Sequence, residues 1–325
     1  MPETRLGGVN DRMCAEGKPE ARLGGVNARM CAEGKPEVTF FMIVTPRDVV
    51  IADYAVRSYA KVKDVDFSLV VYSNYLLPEQ KSYYFPRWEA LPFVAIARNP
   101  QHDADLNGIN SRIQSDALEG PFEYCDPLWD RELRQIHTPL VATVDADFEI
   151  LRPHFLHYML RRLRAEADLV GFSTDYSPTA VVHEPYNGNT IILNERNHTW
   201  FCIYKRLAFE RSQVSQAFHR EMLIGAPVER NCWDSCAYFQ KSLRDQGLRF
   251  DYLHGKRRRD FIHYGAFSKN TTVTRETVAL FRLFAILENT LPGRVARLVR
   301  RARGVMLPRL ENNRYEFVRE APIRW

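Results

Sequence analysis

From Leu140 to Val144 the chain is a short run of apolar and β-branched residues. It leads directly into two carboxylates, Asp145 and Asp147, within Leu140-Val-Ala-Thr-Val-Asp-Ala-Asp-Phe-Glu-Ile-Leu-Arg-Pro153. A run this short and this apolar predicts a strand covered on both faces, as in the interior of a parallel sheet. Such a strand ends at the edge of its sheet, where open α/β folds bind ligands. Acidic side chains placed there do not serve packing. They suit a hard divalent cation, which in turn can hold a diphosphate. Two other Asp-x-Asp triplets lack this setting. Asp64-Val-Asp66 reads as a solvated turn before a strand, and Asp103-Ala-Asp105 lies in a polar stretch with no strand ahead of it.

The chain around this motif alternates strands and helices. Strands are predicted at Val38–Val44, Phe67–Tyr72, Phe93–Ala97, Leu140–Val144, Asp168–Phe172 and Arg249–Leu253. Helices are predicted over about Val49–Val62, Ile109–Leu118, Trp129–Ile136, His154–Ala167, Cys236–Gln246 and Glu276–Glu288. Asn189–Asn194 and Trp200–Tyr204 read as shorter strands of a hairpin-like addition. Gly247 is placed to cap the helix before it. Alternation in this order means an α/β fold with a mostly parallel, Rossmann-like sheet flanked by helices, and a smaller added subregion.

Bulk properties narrow the class. A length of 325 residues with 45% hydrophobic content buries a substantial core. The net charge of +5 is too mild to argue for a nucleic-acid partner. No stretch approaches the length of a membrane-spanning helix and no hydrophobic leader is visible, so a cytoplasmic location is the expectation, with the six cysteines as free thiols. Residues 5–20 recur as 22–37 with a single change, Asp11 to Ala28, a glycine-rich duplication too poor in apolar residues to build a solenoid. The expected organisation is therefore 1–37 as this flexible tandem repeat, 38–153 and 154–274 as two halves of the fold, and 275–325 as a C-terminal helix and basic tail.

Over about Val38 to Asn270 the chain resembles the GT-A class of nucleotide-sugar glycosyltransferases. The resemblance rests on four segments in the family's order. These are Val144-Asp-Ala-Asp-Phe-Glu-Ile150, Tyr186-Asn-Gly-Asn-Thr-Ile-Ile-Leu-Asn194, Trp233-Asp234, and His263-Tyr-Gly-Ala-Phe-Ser-Lys269. In motif order it is most similar to the retaining, glycogenin-like (family 8-like) transferases. In the last segment the glycine departs by one position and the family's tryptophan-type ending is missing.

The resemblance implies a GT-A-like fold, with 38–153 as the nucleotide-sugar-binding half, 154–274 as the acceptor/catalytic half and the smaller subregion on the acceptor side, and a metal site of Asp145, Asp147 and His263 holding Mn²⁺ or Mg²⁺. It places Asp145, Ala146 and Lys269 against the donor diphosphate, and Asp234, Asn187 and Asn189 near the reacting sugar. It also implies a nucleotide-sugar donor, a UDP-sugar by class precedent, a glycan, glycolipid or small-molecule acceptor, and retention favoured over inversion. A divalent ion and a lysine aimed at a departing diphosphate stabilise the transition state more than the ground state.

Each site residue also has a plain structural reading. Asp234 stands where a helix N-cap belongs. Asn187 and Asn189 flank Gly188, as in a turn. Thr45, Arg47 and Asp48 close the first strand, where a nucleotide would lie, and equally spell a turn. Ser73 and Asn74 hold the same position after the second strand, and Arg112 is a candidate for the donor phosphates. His263 could be an ordinary buried histidine and Lys269 a solvated loop residue. Two other functions compete: a nucleotidyltransferase on a related sheet, although Thr45-Pro-Arg-Asp48 has no glycine-rich loop, and a nucleotide-sugar-binding protein without catalysis. The tail Arg294–Arg303 carries five arginines, and its helical pattern suits peripheral contact with an anionic membrane or a plain solvated face.

Overall fold

The computed structural model describes residues 36–98, 125–173, 182–186, 189–193, 197–212, 219–220, 231–233, 236–253, 259–265 and 273–307. The first part of the chain alternates as expected: β1 (Val38–Val44), α1 (Val49–Ser58) with a 3-10 turn at Tyr59–Lys61, β2 (Phe67–Ser73), α2 (Pro78–Glu89), β3 (Val94–Arg98), α3 (Cys125–Leu133) and β4 (Leu140–Asp145). There follow β5 (Phe148–Ile150), α4 (Phe155–Ala165), β6 (Leu169–Ser173), β7 (Val182–Tyr186), β8 (Asn189–Leu193) and β9 (Asn197–Lys205). The described chain closes with α5 (Leu207–Arg211), β10 (His219–Arg220), β11 (Asn231–Trp233), α6 (Ala237–Asp245), β12 (Phe250–Leu253), β13 (Phe261–His263), α7 (Arg275–Thr290) and α8 (Gly293–Met306).

Seven strands form the central sheet in the order β12-β6-β9-β4-β1-β2-β3. All its pairings are parallel except those of β9 with β4 and with β6. The sheet is therefore mostly parallel with one reversed strand. Its core lies on both faces because alternate residues of each strand point opposite ways. Phe40, Met42 and Val44 of β1 pack with Leu69, Val71, Ala142 and helices α1, α2, α4 and α7. Phe41 and Ile43 pack with Val70, Tyr72, Val141 and helices α3, α5 and α6. Helices on both faces explain why the strands read as unbroken apolar runs rather than as alternating patterns.

Two expectations change. Asn189–Leu193 and the strand through Trp200 do not form a hairpin with each other: β8 belongs to a four-stranded sheet of order β10-β11-β8-β7, whereas β9 inserts between β4 and β6. Phe201, Cys202, Ile203 and Tyr204 are consequently fully buried. Close approach makes the insertion possible. A Cβ on Gly171 would meet Asn197 Cβ at 2.9 Å and the Phe201 carbonyl oxygen at 3.0 Å. At the same place Gln240 of α6 accepts from Asn197 N at 2.8 Å and donates back to Asn197 O at 2.9 Å, standing in for ladder bonds where the β6–β9 register shifts. The second change is α2, which was not foreseen. It buries Tyr84, Phe85 and Trp88, and the Trp88 indole donates to Asp53 Oδ1 at 3.1 Å.

Smaller points agree with the sequence. Gly247 has φ +81°, and its N–H bonds Arg244 O at 2.9 Å while Leu248 N bonds Leu243 O at 3.1 Å, the Schellman ending of α6. Asp64 and Asp66 are exposed, as a solvated turn requires. Helix α3 begins four residues before the expected Trp129. The expected helix at 109–118, Asp103-Ala-Asp105 and the tandem repeat before residue 36 lie outside the described residues. Among the described residues no helix is long and apolar enough to cross a membrane.

Candidate metal centre at the carboxyl edge of the sheet

The register of the parallel strands sets the edge. Ile43 pairs with both Tyr72 and Asp145, and Val44 pairs with Ser73. The residues after β1, β2 and β4 therefore emerge side by side, which puts Thr45, Asn74 and Asp145 on one rim. Beyond Asp145 the chain turns through Ala146 and enters β5. There it meets β13 in an antiparallel ladder that pairs Phe148 with His263 and Glu149 with Ile262. The Tyr264 amide continues the ladder by donating to Asp147 O at 3.0 Å. By this route a histidine more than a hundred positions downstream arrives beside the acidic pair.

One potential ligand atom from each of Asp145, Asp147 and His263 lies within 4.8 Å of the other two. His263 Nε2 is 3.4 Å from Asp147 Oδ1. Asp147 is 9% exposed, and among the described residues its buried Oδ1 has no hydrogen-bond partner. An ionised oxygen left so in a low-dielectric setting is costly unless a positive charge joins it. Two carboxylates and an imidazole form a hard, mostly oxygen donor set, and two donors on one such ion stand about 3–4.5 Å apart. The residues thus fit a divalent cation. His263 reflects the same field: burial alone lowers its pKa, but the carboxylates of Asp147, 3.4 Å away, and of Asp145 outweigh burial and raise it.

Packing fixes the histidine. The Trp200 ring stacks on His263 at 4.3 Å and 16°, and also on Phe172 at 4.5 Å and 21°. Below them Phe148 stacks on Phe261 at 5.0 Å, within contact of Phe155 and Phe201. These rings make the β5–β13 ribbon one body with β9 and α4.

The opposite side of the ribbon is held by a buried carboxylate that the sequence reading passed over. Glu149 is 2% exposed. Arg282 Nε of α7 donates to its two oxygens at 2.8 and 3.0 Å, the Tyr264 hydroxyl donates at 2.8 Å, and Lys61 Nζ stands 3.7 Å away. Lys61 also donates to Ile150 O at 3.1 Å, and Ser58 Oγ accepts from Ile150 N at 2.9 Å. Burial, with Glu149 beside it, drives the Tyr264 hydroxyl pKa well above the ordinary tyrosine value. The signal available in sequence was position alone: Glu149 falls two residues after Asp147, at the start of the apolar segment that follows the acidic pair.

Several of the neighbouring rim residues make contacts within the scaffold. Thr45 Oγ1 donates to Asp48 Oδ2 at 2.6 Å, and Asp48 N donates to Thr45 O at 3.1 Å, closing the turn after β1. Gln80 of α2 donates to Pro46 O at 3.0 Å and pins the same turn. Arg47 lies in it, half-buried. Ser73 and Asn74 are buried, and Asn74 N donates to Val44 O at 2.9 Å. Asn189 opens β8 opposite Tyr186. Arg112, Asn187, Asp234 and Lys269 lie outside the described residues. The structure thus joins Asp145, Asp147 and His263 and sets Thr45, Arg47, Asp48, Ser73, Asn74 and Ala146 along the neighbouring edge.

No family model and no curated protein matches the chain. Among solved structures it is similar to a mannosyltransferase, PcManGT from Pyrobaculum calidifontis in complex with GDP-Man and Mn²⁺ (13% identity over 83% of this chain and 70% of that one, TM-score 0.39). It is also similar to S. aureus TarS 1-349 in complex with UDP (13% identity, 81% and 69% coverage, TM-score 0.39). A third match is a CMP:2-keto-3-deoxy-manno-octonic acid synthetase complexed with CTP (11% identity, 67% and 84% coverage, TM-score 0.37). Likenesses at this level leave chemistry and substrate to be judged from the residues themselves.

Proposed function

We propose that the chain is a metal-dependent glycosyltransferase that moves a sugar from a nucleotide-sugar donor to an acceptor. The observation that carries this reading is the convergence of Asp145, Asp147 and His263 within 4.8 Å at the carboxyl edge of a mostly parallel sheet, with a buried Asp147 oxygen that has no hydrogen-bond partner among the described residues. The motif order given above supports a UDP-sugar donor, transfer with retention, and Mn²⁺ in preference to Mg²⁺, since an imidazole ligand suits Mn²⁺ better. In this reading 38–153 form the donor half, 154–274 the acceptor half, and the protein acts in the cytoplasm.

Asp145, Asp147 and His263 would hold the ion, which when bound supplies positive charge to the leaving diphosphate. Trp200 keeps the imidazole plane fixed, and the Glu149 contacts keep β5 in register, so the donor atoms need little reorganisation as charge develops. Lys269 and Asp234 take the roles that the resemblance implies, on the diphosphate and beside the transferred sugar. Ring burial around His263 and Trp200 keeps water from one wall of the site.

The test is a panel of nucleotide sugars incubated with the protein and Mn²⁺. Slow donor hydrolysis that stops with chelator and with Asp147→Ala supports the reading. Release of pyrophosphate from a nucleoside triphosphate would replace it with the nucleotidyltransferase alternative, and tight donor binding without turnover would replace it with the binding protein. The anomeric configuration of a transfer product, read by NMR, decides between retention and inversion.

A further inference from the structure

Helix α8 is joined to α7 through Leu291 and Pro292 and carries arginines on two separate faces. At 3.6 residues per turn, Ala296, Val299, Arg300 and Arg303 share one arc of roughly 100°. This arc meets α7: Arg300 Nε donates to Glu288 at 2.8 Å, Arg303 Nη1 lies 3.3 Å from the other Glu288 oxygen, and its guanidinium covers the Phe281 ring at 4.9 Å. A second arc of about the same width holds Val295, Leu298, Val305 and Met306, which are 43%, 61%, 84% and 56% exposed. Arg294, Arg297 and Arg301 occupy a third arc beside it, all exposed. Among the described residues none of the three takes part in an ion pair; Arg297 Nε reaches only the Gly293 carbonyl, at 3.3 Å.

A soluble helix sitting on its own protein exposes polar residues outward. Here the α7 side takes two of the five arginines, where Glu288 compensates their charge. The outward side presents four exposed apolar side chains flanked by the three arginines that lack such compensation. We propose that this outward face of α8 docks on an anionic lipid bilayer, with Val295, Leu298, Val305 and Met306 entering the headgroup boundary and Arg294, Arg297 and Arg301 meeting lipid phosphates. The charge pattern selects that occupant. Apolar stripe and cations lie next to each other on one side, the arrangement of helices that lie in the plane of a membrane. Each arginine at an anionic surface is worth roughly a fivefold gain in binding, so three give about a hundredfold, reduced by salt. The proposal does not depend on what the metal centre does.

The test is sedimentation of the full chain with vesicles of phosphatidylcholine alone and with vesicles containing one-third phosphatidylglycerol. Binding to the anionic vesicles is expected, weaker at high salt and lower by about two orders of magnitude on neutral ones. The triple change Arg294→Gln, Arg297→Gln, Arg301→Gln should bring anionic binding to the neutral level. Leu298→Asp should also weaken binding to anionic vesicles. All these positions are exposed, and an unchanged thermal melt confirms that each variant is folded. Equal binding of wild type and triple variant to anionic vesicles overturns the proposal. So does a concentration-dependent dimer that Leu298→Asp dissociates while vesicles bind neither form, which would make the stripe a contact between copies.

Discussion

Asp147 and Glu149 stand two residues apart at one short strand, both buried, and they have opposite surroundings. Asp147 has His263 at 3.4 Å and, among the described residues, an Oδ1 without a hydrogen-bond partner; Glu149 is surrounded by Arg282, Tyr264 and Lys61. A buried charge must find opposite charge and hydrogen bonds or lose stability. Glu149 finds both within the fold, so it fastens β5 to α7. Asp147 does not, so its remaining coordination is left for something from outside. Adjacent carboxylates thus divide structural and ligand-holding duties through their partners, with no difference in residue chemistry.

Four changes break or sharpen this contrast. The largest effect belongs to Asp147→Ala: Mn²⁺ affinity, followed by paramagnetic resonance, should fall at least about 10²-fold, more than the 10–100-fold typical of residues that merely orient a ligand. Metal-free stability should drop by no more than about 1 kcal/mol, since a poorly satisfied charge is removed. Glu149→Gln reverses that profile. It should cost about 2 kcal/mol in urea unfolding, below the 3–5 kcal/mol of fully buried pairs because Arg282 and Lys61 are partly exposed. Tyr264→Phe removes a single donor from the same carboxylate and should cost about 1.5 kcal/mol. If Glu149→Gln leaves stability unchanged while Asp147→Ala collapses the fold, the assignment of roles is reversed.

Asp168 is an intermediate case and the smallest effect. Lys205 Nζ and the Arg249 amide donate to its carboxylate at 3.0 and 2.9 Å, tying β9 and β12 to β6. Burial raises its pKa, but the Arg249 and Lys205 contacts outweigh burial and lower it. A lowered folded pKa stabilises above the unfolded value, near pH 4, and that contribution vanishes as pH falls through the folded value. Asp168→Asn should therefore lose about 1 kcal/mol at pH 7, and the gap from wild type should close below about pH 4 in thermal melts.

What could be read in the sequence followed its strongest periodicities. Val38–Val44 and Leu140–Val144 are apolar but for Thr39 and Thr143, so a parallel interior was legible, and the acidic pair marked its edge. His263 was legible only through motif resemblance, because no local pattern reveals that Phe261–His263 pairs with Phe148–Ile150. Helix α2 escaped notice because Pro86 and adjoining tyrosines disguise its spacing; the signal present was Pro78 at its first turn with Tyr84 and Trp88 four apart. Trp200–Tyr204 was legible as a strand, but the reversed direction of β9 and its place in the central sheet escaped, because burial on both faces looks alike whichever way a strand runs. Glu149 escaped because its partners Lys61, Tyr264 and Arg282 come from three distant segments.

The ribbon that brings His263 to Asp145 has one more implication. Its two strands come from segments more than a hundred positions apart, so a shared ion would be a clasp across the long loop between them. A denatured chain could not close that clasp. Mn²⁺ should then raise the melting midpoint in step with the logarithm of its concentration, and heat alone should set the ion free.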